Sequence, residues 1–213
     1  VPDSDLMTSI PLRKIIPDFA DEIKRRKLED TTPSKVVIPF RNEHRTDKER
    51  DVVSVPIEIL RFRKENGRII SNVLNYEQEH GILKENSDAT QVELRKFLSE
   101  KDPEKTKELM NSIRSSGQRD PAVITCDGFL INGNRRKVAI DALHEDTGED
   151  EYSRMKVVIL PGKDDPGGPP TKKEIEQIEN RYQLQSDGKS EYTRLDQAIS
   201  IRHKRDSGMS LKE

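Results

Sequence analysis

Two adjacent arginines, Arg135 and Arg136, stand where a helix is expected to begin, directly after the Asn-Gly-Asn turn at residues 132–134. Apolar residues at three- and four-residue spacing predict that helix: Val138, Ala139, Ala142 and Leu143. A helix N-terminus carries partial positive charge and presents free backbone N–H groups, so two cations there need a counter-charge. We therefore interpret the turn and the two guanidinium groups as a phosphate-binding site.

The alternative is that both arginines are surface side chains, either solvated or paired across the fold with a distant carboxylate. No local partner is available, because the positions three and four residues further on are Val138, Ala139 and Ile140. Lys137 differs from them, since Asp141 follows it at the spacing of a helical ion pair.

Other reactive residues give weaker signals. Gly188-Lys189-Ser190 resembles the end of a Walker A loop, but Gln183 stands where the motif requires glycine. The four histidines have no cysteine or carboxylate at the spacing of metal ligands, which argues against a zinc site. Cys126 has no evident activating base, and we expect a buried, inert thiol.

Composition limits the class of protein. The chain has 213 residues, of which 31% are hydrophobic and 37% charged, so we expect a modest core. Its 38 basic and 40 acidic residues give a net charge of -2, which is not the overall signature of a nucleic-acid-binding domain. The sequence has no apolar run long enough to span a membrane, and its one cysteine fits a reducing compartment. We expect a cytoplasmic protein without a membrane partner.

Residue patterns predict the elements around the arginines. Helical spacing predicts a helix near residues 15–23, a helical pair within 71–99, and a helix over 104–114 that stops at Gly117. Strand patterns cover 36–40, 52–60 and 155–160, and Asp127-Gly128 predicts a hairpin. A proline- and glycine-rich linker at 164–170 precedes helices expected over 171–185 and 190–205. Ser210 and Glu213 form a capping box that starts a further helix, so we expect the natural protein to continue beyond Glu213.

Several short motifs follow one another along the chain in an order that matches a known family. They are Asn66-Gly67-Arg68, LMNSI at 109–113, GQRDP at 117–121, GNRR at 133–136 and Glu179-Asn180. In this order and spacing the chain from Val52 to its C-terminus resembles the ParB-like domain of the ParB and sulfiredoxin superfamily. The stretch at about 71–102 resembles an insertion into that domain.

The resemblance implies a nucleotide site. Gly133, Arg135 and Arg136 would hold the phosphates, and Glu179 would approach them and a magnesium ion from the other side as the catalytic residue. The further nucleotide-binding residues that it implies are Arg68, Gly117, Gln118, Pro121, Asn134 and Asn180.

Two departures leave the ligand open. Partition proteins usually have glutamate where this chain has Asn134, and arginine where it has Gln183, although Arg181 is close enough in sequence to substitute. The sequence therefore does not decide between CTP, ATP and another phosphate compound, nor whether the ligand is hydrolysed. Sulfiredoxin activity is rejected, because its catalytic cysteine belongs in the turn where Asn134 or Arg135 stands.

We therefore predict an α+β fold with a small mixed β-sheet and flanking helices, followed by a helical C-terminal part. The domain prediction is an N-terminal helical arm (1–34), the ParB-like domain (35–162), a linker (163–171) and a helical segment (172–213) leading into a truncated helix-turn-helix.

The leading hypothesis is a nucleotide-binding, DNA-associated protein in which CTP or ATP controls the C-terminal helices. DNA would be bound mainly through a region beyond Glu213, and a homodimer is left open. One alternative is a ParB-like metal-dependent nuclease with carboxylates from Asp127, Glu179 and Asp187. Another is a non-catalytic binding module of phage, plasmid or defence origin.

Overall fold

The computed structural model describes residues 13–30, 34–38, 41, 49–186 and 202. Its helices are α1 (Pro17–Arg26), α2 (Ile70–His80), α3 (Asp88–Lys101), α4 (Pro103–Ser116), α5 (Asn134–Thr147) and α6 (Lys172–Ser186). Its strands are β1 (Leu28–Glu29), β2 (Lys35–Val37), β3 (Glu49–Pro56), β4 (Ala122–Ile124), β5 (Leu130–Asn132) and β6 (Arg154–Ile159). Short 3-10 helices cover Ile57–Ile59 and Asp150–Ser153. The α+β prediction is confirmed.

The six strands form one mixed sheet in the order β1-β3-β6-β4-β5, with β2 also paired to β3. β3 and β6 are antiparallel, with Val52 opposite Val158, whereas β4 runs parallel to β6. β4 and β5 form the antiparallel hairpin that Asp127-Gly128 predicts. β5 leads directly into α5, so the hairpin fixes where the arginine pair lies.

Successive residues of the central strands contribute to two separate cores. Val53, Ile124, Leu130 and Val157 belong to the larger core, which also contains side chains from α1 to α5. Their neighbours belong to the smaller one: Val52, Val123, Ile131 and Val158. Because side chains alternate between the two faces of a strand, the sheet is buried on both faces. Ile175 and Ile178 of α6 cover the second face.

Some predicted boundaries differ from the structure. The strand predicted over 52–60 is shorter at its end, because Pro56 lacks an N–H and the chain turns into a 3-10 helix after it. Ile23 of the predicted arm is 1% exposed within the larger core, so the described part of that arm packs into the body. The predicted insertion also contributes to this core, through Val73, Leu94, Phe97 and Leu98.

A capping box begins α6. The backbone N–H of Glu174 donates to Thr171 Oγ1 at 3.1 Å, and that of Thr171 donates to Glu174 Oε2 at 2.8 Å. The predicted linker ends at this capping box, and α6 then crosses the second face of the sheet.

The helix predicted over 190–205 and the capping box at Ser210 lie outside the described residues, apart from Arg202. Within the described part, no helix combines the length and apolar character needed to cross a membrane.

Candidate functional site

Gly133 fixes the start of the arginine helix. It is the N-cap of α5 in a left-handed conformation, with φ 91° and ψ 15°. A Cβ at this position would lie 2.6 Å from the Ala122 Cβ, so the turn is packed directly against β4. Glycine is the residue that tolerates both the conformation and the close approach. Arg135 and Arg136 consequently lie in the first turn of α5, as predicted.

A cavity of about 160 Å³ lies at this helix start. Its walls come from the start of α5, the turn at residues 66–68, and the second half of α6. Six of the predicted site residues line it together: Arg68, Gly133, Asn134, Arg135, Arg136 and Glu179. Sequence positions more than 100 residues apart thus meet in one cavity.

The two arginines are only partly paired. Arg135 Nη2 donates to Asp102 Oδ2, so the alternative of a distant carboxylate partner holds for this residue. Arg136 Nη2 lies 3.9 Å from Oδ2 of Asp120, whose side chain is 84% exposed, and such a pair is weak. Among the described residues, Arg136 Nη1 and Asn134 Oδ1 are buried without a hydrogen-bond partner. Buried polar atoms usually have one. The Arg136 N–H is a donor that suits an anionic acceptor, whereas Asn134 Oδ1 is itself an acceptor and gives no support for an anion.

The electrostatic environment also disfavours the bare cations. Burial lowers the pKa of the Arg135 guanidinium, Arg68 lowers it further, and Asp102 opposes both effects incompletely. Burial likewise lowers the pKa of Arg136 against the attraction of Asp120 and Tyr182. Guanidinium groups stay charged in proteins, so this is excess positive charge in a desolvated place. An anion would relieve it.

Glu179 approaches the cavity from α6 and is bound by three donors. Its Oε1 accepts from the backbone N–H of Gly67 at 3.1 Å and from Gln183 Nε2 at 3.0 Å. Its Oε2 accepts from Arg63 Nη1 at 3.4 Å, and both side chains are buried. Burial alone would lower the pKa of Arg63, but Glu179, Glu65 and other nearby carboxylates outweigh it and raise that pKa.

Glu179 does not fit the role of a magnesium ligand. A divalent cation on this carboxylate would lie beside the Arg63 guanidinium, and like charges repel strongly where water is excluded. No group of three or more potential ligands (His, Cys, Asp or Glu) that could hold a metal ion occurs among the described residues.

The carboxylates considered for a nuclease site are not assembled in the described part. Both oxygens of Asp127 accept from Arg13 Nη1, at 2.8 and 2.9 Å, and Asp127 also accepts from Thr125 Oγ1 and the Ile16 N–H. It is therefore a fully buried structural anchor of the hairpin turn. Asp187 lies outside the described residues.

Four residues that the resemblance implies do not line the cavity: Gly117, Gln118, Pro121 and Asn180. Gln118 is engaged with β6, where its Oε1 accepts from the Lys156 N–H at 2.7 Å and its Nε2 donates to the Lys156 carbonyl at 2.8 Å. Gly117 ends α4 in a positive-φ conformation, and its N–H donates to the Ile113 carbonyl. These contacts give both residues structural roles.

The cavity also contains residues that sequence reasoning did not place there. Tyr182 and Gln183 line it, and both lie on the turn of α6 that follows Glu179. Helical spacing from Glu179 is the signal that finds them. Arg181 is exposed and does not line the cavity, so it does not take the place of the arginine that the resemblance would put at Gln183. The sequence did not single out Arg63, because it lies in a basic run, 61–64, of a kind that is typical of a solvated surface.

Cys126 is buried, as expected. Burial raises the pKa of its thiol to about 11, and the charge of Asp127 adds to the effect. Such a thiol is inert at neutral pH.

Comparison with protein-family models, with curated proteins and with solved structures found no match in any of the three.

Proposed function

We propose that this chain is a nucleotide-binding, DNA-associated ParB-like protein that holds CTP or ATP by its phosphates at the start of α5. The observation that carries the proposal is the cavity itself. Three arginines, Arg68, Arg135 and Arg136, meet a helix N-terminus there, and one guanidinium nitrogen is buried without a partner among the described residues. Phosphate oxygens are the acceptors that such an arrangement suits.

The size of the cavity favours the phosphates over the whole nucleotide. Its volume of about 160 Å³ is below the roughly 300–1,000 Å³ typical of sites that enclose a drug-sized ligand. We expect the phosphate chain to fill it and the nucleoside to extend outside.

The position of α6 supports the regulatory part of the proposal. Glu179, Tyr182 and Gln183 form one wall of the cavity, so a bound phosphate chain would lie against this helix. A ligand that contacts one arrangement of α6 better than another shifts the helix towards that arrangement. Because α6 leads into the C-terminal part, nucleotide binding would in this way control DNA or partner engagement.

A calorimetric titration of CTP, ATP, GTP and UTP, each with and without magnesium, tests the proposal. We expect saturable binding of at least one nucleotide. The absence of binding by all four would contradict the proposal and leave the non-catalytic module as the better account.

A further inference from the structure

We infer that Glu179 is a positioning residue, which anchors the second half of α6 to the turn at residues 66–68 and to the buried Arg63. The inference deepens the proposed function and rests on it for the effect on phosphate binding. It replaces the magnesium-linked catalytic role that the family resemblance implies for this glutamate.

The contacts of Glu179 connect three separate parts of the chain. One oxygen accepts from Gly67, in the turn that presents Arg68 to the cavity, and from Gln183 of α6. The other oxygen accepts from Arg63, a guanidinium that is 4% exposed. The carboxylate therefore ties the turn, the arginine and the helix together.

The first half of α6 has a different attachment. Ile175 and Ile178 are buried in the smaller core, and the Thr171 capping box holds the helix start. The half that lines the cavity begins at Glu179; Tyr182 in this half is only partly buried against the same core, and the hydrogen bonds of Glu179 add a polar attachment. Loss of Glu179 should therefore release residues 180–183 and leave 172–178 docked.

Glu179 also compensates the charge of Arg63, together with Glu65, whose Oε2 lies 3.6 Å from Arg63 Nη2. Arg63 is buried, and a buried ion that loses its partner is strongly destabilising. The pair thus holds α6 against the segment that contains Arg63, and its attraction is little screened because both side chains are buried.

Glu179→Ala tests the inference, because alanine keeps the intrinsic helix propensity and any change reports lost docking. We expect the rate of amide hydrogen exchange at residues 180–183 in the ligand-free protein to rise by about tenfold or more, because loss of one partner of a buried ion pair is strongly destabilising. Exchange in α5 and in residues 172–178 should stay within about twofold. Glu145→Ala is the matched control, since Glu145 of α5 pairs with Arg95 of α3 and neither residue lines the cavity.

The second variant, Arg63→Met/Glu179→Ala, removes both members of the buried pair and is expected to fold even where Glu179→Ala does not. It should show the same faster exchange over residues 180–183. Unchanged exchange there in a folded variant would overturn the inference.

Binding of inorganic tripolyphosphate gives a second readout. Removing a negative charge from the cavity wall would by itself strengthen anion binding, so weaker binding by Glu179→Ala identifies a positioning role. We expect a fall in affinity of about tenfold. Undiminished affinity together with lost nucleotide hydrolysis would assign Glu179 to the reacting groups instead.

The two proposals fail separately. If the wild type binds neither tripolyphosphate nor any nucleotide, the proposed function is wrong, while the exchange measurement on the ligand-free protein still decides whether Glu179 anchors α6.

Discussion

At the scale of single residues, the site depends on a small number of atoms whose positions are fixed by their surroundings. Sequence reasoning found Gly133, Arg135 and Arg136 because the physics of a helix N-terminus is local and can be read from neighbouring residues. It did not find the pairing of Glu179 with Arg63, since these residues are 116 positions apart and only the fold brings them together. Residues whose partners are distant in sequence are the ones that the sequence leaves undetermined.

Gly133→Ala is expected to destabilise the protein more than Gly148→Ala. Both glycines have positive φ, but a Cβ on Gly133 meets Ala122 at 2.6 Å, whereas a Cβ on Gly148 meets nothing within 4 Å. The left-handed conformation alone costs an alanine roughly 1–2 kcal/mol, and overpacking adds about 1–3 kcal/mol at Gly133. Urea unfolding of both variants checks the difference. Equal losses of unfolding free energy would show that the turn can move away from β4.

Cys126 should react slowly in the folded protein. Burial raises the pKa of its thiol to about 11, so little thiolate is present at pH 8. We expect alkylation by iodoacetamide to be much slower in buffer than in denaturing urea. Alkylation at the same rate in both solvents would show that the thiol is exposed.

At the scale of elements, the longer helices and the hairpin were predictable, and the short edge strands were not. Apolar spacing and the glycines at their ends predict α4 and α5. β1 has only two residues, and it exists because Leu28 and Glu29 pair with β3. Such a strand has no pattern of its own, so the structure alone reveals it.

Thr171→Ala tests the role of α6 as a cavity wall. Removal of the N-cap hydroxyl should cost about 1 kcal/mol of helix stability and weaken tripolyphosphate binding to a similar, small extent. Ser87→Ala is the matched control, because Ser87 caps α3, which does not line the cavity. Titrations of both variants should show weaker binding for Thr171→Ala only. The same change in both would indicate a general loss of stability.

At the scale of the whole molecule, helices pack on both faces of one sheet, and the cores on the two faces differ in size. Side chains of α1 to α5 pack in the larger core, while α6 covers the smaller core and forms one wall of the cavity. The α+β class was predictable from the alternation of strand and helix patterns. The participation of α1 and of the helical pair α2 and α3 in the main core was not, because burial depends on contacts between distant segments.

The net charge sets the expectation for DNA. With a net charge of -2, this 213-residue chain should bind duplex DNA weakly and lose the binding steeply as salt rises. Fluorescence anisotropy over a salt series measures this. Tight, sequence-specific binding by the chain at physiological salt would contradict this expectation.

If Arg135 and Arg136 bind an anion, thermal unfolding of Arg135→Ala/Arg136→Ala with and without CTP or ATP should reveal it. Arg25→Ala/Arg26→Ala is the matched control, because it removes an adjacent arginine pair from the last turn of α1, where cations are favourable. We predict that the ligand-free melting temperature of the Arg135/Arg136 variant stays close to that of the wild type, while the ligand-induced increase disappears; the control should keep this increase. A clear fall in the ligand-free melting temperature with an unchanged ligand-induced increase would contradict the account.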